Sequence, residues 1–243
     1  MPGAGATDEI ETELGVVGYS IRSGAALQAW LGAPWQDWRS FAASWNDLGE
    51  DQHMADGGRY RRRRYAVFDV AKGTISRAPH QPHYQSTIYN RLNGGLERWF
   101  EPVSAEAGQH PITRTLIRRL AAVFDKIVPP RGASASWHVE LHQFRIEARS
   151  GSPGHPTPEG IHRDGVDGAF VMLINRENVA SGVTEIFSPD GAVQGRFILT
   201  DPGDAVFLDD ARIFHGVTAI APLDSAKPAI RDVLVITFTR RAG

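Results

Sequence analysis

From residue 137 onward the chain is written as short runs of β-forming residues separated by turns, and no other feature limits its fold as tightly. The runs fall at 137–148, 169–175, 183–187, 195–199, 205–208, 213–217 and 233–238. They are rich in Val, Ile and Phe and bounded by Gly, Pro, Asn and Asp, which is barrel or sandwich texture. SPDG at 188–191 and DPGD at 201–204 put Pro ahead of Gly or Asp. Such close turns suit antiparallel hairpins rather than crossover units, so we expect a hairpin at each.

The first half reads differently. Ile112, Leu116, Leu120, Val123, Phe124 and Ile127 recur with helical period until Pro129-Pro130, which predicts a helix over 112–128 packed on the outside of a sheet. Ser23 is a suitable N-cap for an amphipathic helical region over 23–48, carrying Leu27, Trp30, Leu31, Trp38, Phe41 and Trp45 and broken near Pro34. RYRRRRYAVFDV at 59–70 reads as a strand after a DGG turn, and 16–21 as a short strand. Residues 1–15 are small, polar and acidic, and read as a mobile tail without chemistry. The expectation is a mainly β (α+β) chain, with a helical cap over a double-stranded β-barrel forming a single domain over 16–243.

Charge and cysteine usage exclude several classes. With 26 basic against 28 acidic residues the net charge is -2, giving no field toward nucleic acid or an anionic membrane. Small neutral or zwitterionic partners fit better. The acidic start lacks a secretory pattern and no run is long and apolar enough to span a bilayer, so a cytoplasmic protein is expected. There is no cysteine, so any metal must sit on nitrogen and oxygen ligands.

Such ligands are present. His162-Arg163-Asp164 is an H-x-D triplet whose i, i+2 spacing on extended chain turns both side chains to one side. His215 follows on a predicted strand entered through the PGD turn. Two imidazoles and one carboxylate make the facial triad that leaves positions open on Fe(II) for O2 and a chelating co-substrate. In a chain with nine histidines the triplet has little specificity, and the order of segments around it adds the weight. A competing set, His138, Glu140 and His142, alternates along one strand, but same-side neighbours ~7 Å apart are too widely spaced for three bonds of ~2.1 Å to one ion. Arg231 opens the last predicted strand and offers a bidentate fork for a carboxylate, such as the distal one of 2-oxoglutarate. Strand alternation splits the arginine run 59–64 between two faces, and we expect Arg62, with Tyr60, to turn inward as a clamp for a substrate carboxylate. Asp209 and Asp210 are expected to orient a ligand imidazole.

The segments GIHRDGVDGAFVMLINREN, GVTEIF, LTDPGDAVFLDDARIFHGVTAI and RDVLVITF resemble the bacterial Fe(II)- and 2-oxoglutarate-dependent dioxygenases that include isoleucine 4-hydroxylase. DGGRYRRRRY, PHQPHYQ, NGGLERWFEP and WHVELHQFRI upstream are similar to the same family, so the likeness covers most of the chain. It implies a double-stranded β-helix of jelly-roll, cupin-like form, iron on His162, Asp164 and His215, and 2-oxoglutarate on Arg231. It also implies O2 as oxidant and hydroxylation of an unactivated C–H bond in a free L-amino acid or close relative, with release of succinate and CO2. Within HQFRI, Gln143 and Arg145 share a strand face, and we expect both in the pocket, Gln143 toward the co-substrate and Arg145 toward the substrate. One departure is Ala180-Ser181-Gly182, where the family often has two glycines. Two other classes stay open on the residues alone. One is a metal-dependent cupin-like isomerase or hydrolase using the triad with a bound water; the other is a non-catalytic barrel binding a small acid through Arg231.

Overall fold

We analysed a computed structural model of the chain, which describes residues 4–129 and 136–241. The helices are α1 (Ala4–Val17), α2 (Gly24–Leu31), α3 (Trp38–Ala43), α4 (Ala105–Gln109) and α5 (Pro111–Ile127), with a 3-10 turn over Ala33–Asp37. The strands are β1 (Tyr19–Arg22), β2 (Arg61–Ala71), β3 (Thr74–Arg77), β4 (Glu101–Pro102), β5 (Ser136–Ala148), β6 (Gly168–Glu177) and β7 (Val179–Ser181). They continue with β8 (Thr184–Phe187), β9 (Val193–Phe197), β10 (Ala205–Leu208), β11 (Phe214–Val217), β12 (Ile220–Pro222) and β13 (Ala229–Arg240).

The major sheet runs in the order β1-β10-β6-β13-β5-β2-β3, with β4 on β2; a minor sheet runs β11-β8-β9, and β12 pairs with β7. All pairings except β2–β4 are antiparallel. Ile186 of the minor sheet packs against Val206 and Leu208 of the major one, which makes the arrangement a double-stranded β-helix, the jelly roll expected. On the opposite face of the major sheet, Phe68, Leu141, Phe170, Leu234, Ile236 and Phe238 bury against the helices in the largest apolar cluster. Alternation does the sorting: on β5, Trp137, Val139 and Leu141 go to the helices, so His138, Glu140 and His142 must go to the interior between the sheets.

Two sequence expectations change. The supposed tail is helix α1 where described, because Ile10 and Leu14, one helical turn apart, are fully buried against the helical layer. Residues 1–3 and Pro130 lie outside the described residues. SPDG closes the β8–β9 hairpin, but DPGD carries the chain from β9 in the minor sheet to β10 in the major one. Its Gly203 has φ 90° and packs so closely on Trp35 that a Cβ would sit 2.4 Å from the indole. By contrast the 23–48 region behaves as read: Ser23 Oγ accepts from the Ala26 amide at 3.3 Å, and the helix breaks at Gly32 before Pro34. No helix among the described residues is long and apolar enough to cross a membrane.

Candidate active site

The backbones of His162 and His215 are clipped together: each amide donates to the other's carbonyl at 2.9 Å, an isolated antiparallel bridge off the start of β11. The imidazoles therefore lie side by side, ring centroids 4.6 Å apart. Asp164 reaches both, Oδ1 lying 3.5 Å from His162 Nε2 and Oδ2 3.7 Å from His215 Nε2. One donor atom from each residue falls within 4.8 Å of the others, so the three converge on one point. His162 Nδ1 lies 3.0 Å from the Gly160 carbonyl, which only accepts; that nitrogen carries the proton, and Nε2 is the one left to bind a metal.

The electrostatics favour a cation here. Burial works to lower the His162 pKa, but the hydrogen bond and charge of Asp164, with the charge of Glu159, prevail and raise it to about 9. His215, deeply buried beside His162, is pushed down to about 4. Asp164 is held well below the usual carboxylate range by His162 and His215 although burial opposes this. A proton on His162 thus stands where a divalent ion's charge would go. The donor set, two imidazoles and a carboxylate with one open side, fits Fe(II).

Asp210 supports this arrangement differently from the expectation. Its carboxylate accepts the backbone amides of Asp164, Gly165 and Val166 at 2.9, 2.8 and 3.1 Å, so it fixes the turn carrying Asp164 rather than an imidazole. Burial and the neighbouring Asp164 raise its pKa to about 7. Asp209 accepts from Ala211 N within its own turn. From the other side, Gln85 Nε2 donates to the Asp164 carbonyl at 3.0 Å.

The triad lies in a cavity of about 370 Å³ between the sheets. Arg231 lines the same cavity, 2% exposed, with no side-chain hydrogen bond or ion pair among the described residues; burial and the charge of Arg176 pull its pKa down to about 10. A β-bulge at Asp232/Val233 in the β13–β6 pairing directly follows it.

Gln143, Arg145 and Arg62, expected in the pocket, are not there. Gln143 lies on the helix side of β5, where Nε2 donates to Ser44 Oγ at 2.8 Å. Arg145 forks onto Asp232 at 2.7 and 2.8 Å, and Arg62 Nε donates to Glu147 Oε1 at 2.8 Å. None of the three lines the cavity. The parity is opposite to the one assumed: Arg61 and Arg63 of β2, with His138, Glu140 and His142 of β5, face inward.

His83, Glu140 and His142 also converge within 4.8 Å. Their hydrogen bonds argue against a metal. Arg63 Nη2 lies 2.8 Å from His142 Nδ1, and Arg98 Nη2 lies 3.0 Å from His83 Nδ1. A guanidinium only donates, so both Nδ1 atoms accept and both Nε2 atoms, facing Glu140, carry the proton and have no lone pair to give. Sequence reasoning missed His83, Arg63, Arg98 and Glu159. The apolar parity of Trp137, Val139 and Leu141 was the signal that the intervening polar residues face inward.

A family model described as 2OG-Fe dioxygenase matches residues 42–237. The 3(1)-hydroxy-L-isoleucine 4-dioxygenase of Pantoea ananatis (strain AJ13355) is 24% identical over 173 residues, covering 70% of this chain and 68% of that protein. The L-isoleucine-4-hydroxylase of Bacillus thuringiensis is 26% identical over 164 residues, 65% of this chain and 65% of that one, so the chain spans about two thirds of either relative. Among solved structures, a BsmA homologue from Methylobium petroleophilum PM1 is 38% identical with a TM-score of 0.88, covering 96% of this chain and 92% of that one.

Proposed function

The chain belongs to the 2OG-Fe dioxygenase family, and from that premise we propose that it hydroxylates an unactivated C–H bond of a free L-amino acid or a close relative. In this reading His162, Asp164 and His215 hold the iron and Arg231 holds the distal carboxylate of 2-oxoglutarate. Iron with 2-oxoglutarate and O2 supplies the oxidising power for inserting one oxygen atom into a C–H bond, with succinate and CO2 as co-products.

The observation that carries the reading is the buried, unpartnered Arg231 in the same cavity as the triad. An ionised guanidinium shut away from water needs an anion, and its planar fork matches a carboxylate. The chain's own contribution is positional. Asp210 holds the turn of Asp164, the Gly160 carbonyl fixes the tautomer of His162, and the bridge between His162 and His215 sets their spacing. Val171, Val206, Val233 and Val235 line the cavity with apolar surface that excludes water from the reacting carbon. The amino-acid substrate is supported by relatives named for isoleucine and hydroxy-isoleucine oxidation. A cytoplasmic setting and a small-molecule partner belong to the same reading. The isomerase, hydrolase and passive-binding alternatives are disfavoured by the family match and by an arginine placed for a second acid beside the metal ligands.

Anaerobic addition of Fe(II) and then 2-oxoglutarate tests this. The weak visible metal-to-ligand charge-transfer band should form, and should be lost in His162→Ala and Arg231→Met. Iron binding without the band would remove 2-oxoglutarate from the assignment.

A further inference from the structure

Three arginines in the cavity wall have no carboxylate partner among the described residues: Arg231, Arg63 and Arg98. Arg61, beside them, is neutralised by buried Asp51, whose Oδ2 lies 2.7 Å from its Nε. 2-Oxoglutarate has two carboxylates. In the proposed reading one would go to the metal and the other to Arg231, which leaves Arg63 and Arg98 for a different anion.

Both are built into the wall rather than dangling in it. Arg63 is 5% exposed, its guanidinium carbon 3.7 Å from the Phe100 ring centroid and 4.7 Å from that of Phe144. Arg98 is 3% exposed and 5.7 Å from the same Phe100 ring. Each spends one nitrogen on a neutral histidine, and each keeps a buried Nε with no partner. The aromatic faces and imidazoles orient the two cations without cancelling them.

Between them stands an anion. Glu140 Oε1 accepts the Tyr65 hydroxyl at 2.5 Å, whereas Oε2 has only the Nε2 atoms of His83 and His142, at 3.6 and 3.8 Å, too far for a normal hydrogen bond. Glu159, which also lines the cavity, stands at the triad end with Oε1 3.4 Å from His162 Nε2, so Glu140 is the anion set between Arg63 and Arg98, and this half of the pocket suits a ligand bearing both signs.

We propose that this wall is the substrate's head-group subsite, with Arg63 and Arg98 holding a free carboxylate and Glu140 the ammonium of an amino acid taken as its zwitterion. The assignment rests on the oxygenase reading above and sharpens it: an amino acid carried as a thioester, amide or peptide lacks the group that Arg63 and Arg98 recognise. These residues bind and position; the oxidised carbon lies at the triad end.

The test compares free L-amino acids with their amides and methyl esters on the full chain loaded with Fe(II) and 2-oxoglutarate. Binding is read anaerobically by calorimetry, and turnover by succinate release. The amino acid that stimulates succinate release should lose on the order of 100-fold in affinity and in kcat/KM as its amide or ester. Arg98→Met should raise KM for the acid far more than it lowers kcat and should erase most of the acid-over-amide preference, with Arg98→Lys recovering part of it. Equal use of acid and amide by the wild-type protein would overturn the subsite while leaving the oxygenase reading intact, and this comparison needs no variant to fold. If no amino acid in any form stimulates succinate release while 2-oxoglutarate still binds, the amino-acid reading falls and the subsite with it.

Discussion

Arg231→Met should make the ligand-free protein more stable while removing its affinity for 2-oxoglutarate. Arg231 is 2% exposed, has no counter-charge among the described residues, and its pKa is drawn by burial and the charge of Arg176 from 12.5 to about 10. At 1.36 kcal/mol per unit, the charged side chain sits about 3 kcal/mol above its solvated state, an upper bound on what methionine of similar length can recover. For a chain of this size each kcal/mol is worth about 2–4 °C, so the melting temperature of acid-stripped protein should rise by roughly 3–10 °C. The co-substrate should lose a buried charge-assisted pair worth ~2–5 kcal/mol, or roughly 30-fold to more than 1,000-fold in Kd. The assay is thermal unfolding with and without saturating 2-oxoglutarate, in phosphate-free buffer after removal of co-purified acids, together with calorimetric titration. Wild type should gain stability on adding the acid, and the variant should start higher and gain nothing. A variant that melts lower than wild type without ligand, or that still binds 2-oxoglutarate at wild-type affinity, would refute the claim that Arg231 is an anion-seeking cation.

With iron on His162 as proposed, metal binding must displace that residue's proton. With its pKa raised to about 9, apparent Fe(II) affinity should climb about tenfold per pH unit between pH 6 and 8.5, with one proton released per ion in weakly buffered solution. The same shift stabilises the metal-free fold fully below the ordinary value of 6.5, and that contribution fades as pH rises through about 9; urea midpoints across this range would check it. Asp210→Ala frees three backbone amides in the Asp164 turn and should weaken iron binding 10- to 100-fold, measured against a competing chelator, with Asp210→Asn losing less. Ser181 has φ 62°, a left-handed conformation costing ~1–2 kcal/mol for a non-glycine residue, of which glycine's extra unfolded-state entropy takes back ~0.4–1. Ser181→Gly should therefore stabilise by about 0.5–1 kcal/mol in chemical denaturation.

The convergence of His162, Asp164 and His215 was legible because its signal is local: H-x-D on extended chain, then a histidine on a strand, needs no knowledge of the rest of the fold. The jelly roll was legible for a similar reason, since Val-, Ile- and Phe-rich runs and close turns report strands directly. Parity was not legible in the same way. A strand's side chains alternate, so choosing the wrong face for one residue misplaces every neighbour, and Gln143, Arg145 and Arg62 moved together when the inward face proved to be that of His142 and Arg63. Polar residues at alternate positions suggested solvent, but the interior of this barrel is itself polar because it holds charged ligands. Helix α1 escaped notice because two apolar residues, Ile10 and Leu14, are its whole buried signal in a sequence otherwise suited to a tail. Arg98 and His83 come together through a bridge in an irregular segment, which no periodicity reports.

Strand β5 gives one face to the helical layer and the other to the cavity, and this sets how the protein can diverge. Changes at Val139 or Leu141 should register as altered stability, whereas changes at His138, Glu140 or His142, which line the cavity, should on the proposed reading alter which molecules are accepted. Along a single strand, fitness in a saturation library should therefore oscillate with a period of two between abundance and selectivity. A lineage could exchange its substrate by walking along alternate codons of one short exon-sized stretch without disturbing the fold that carries it.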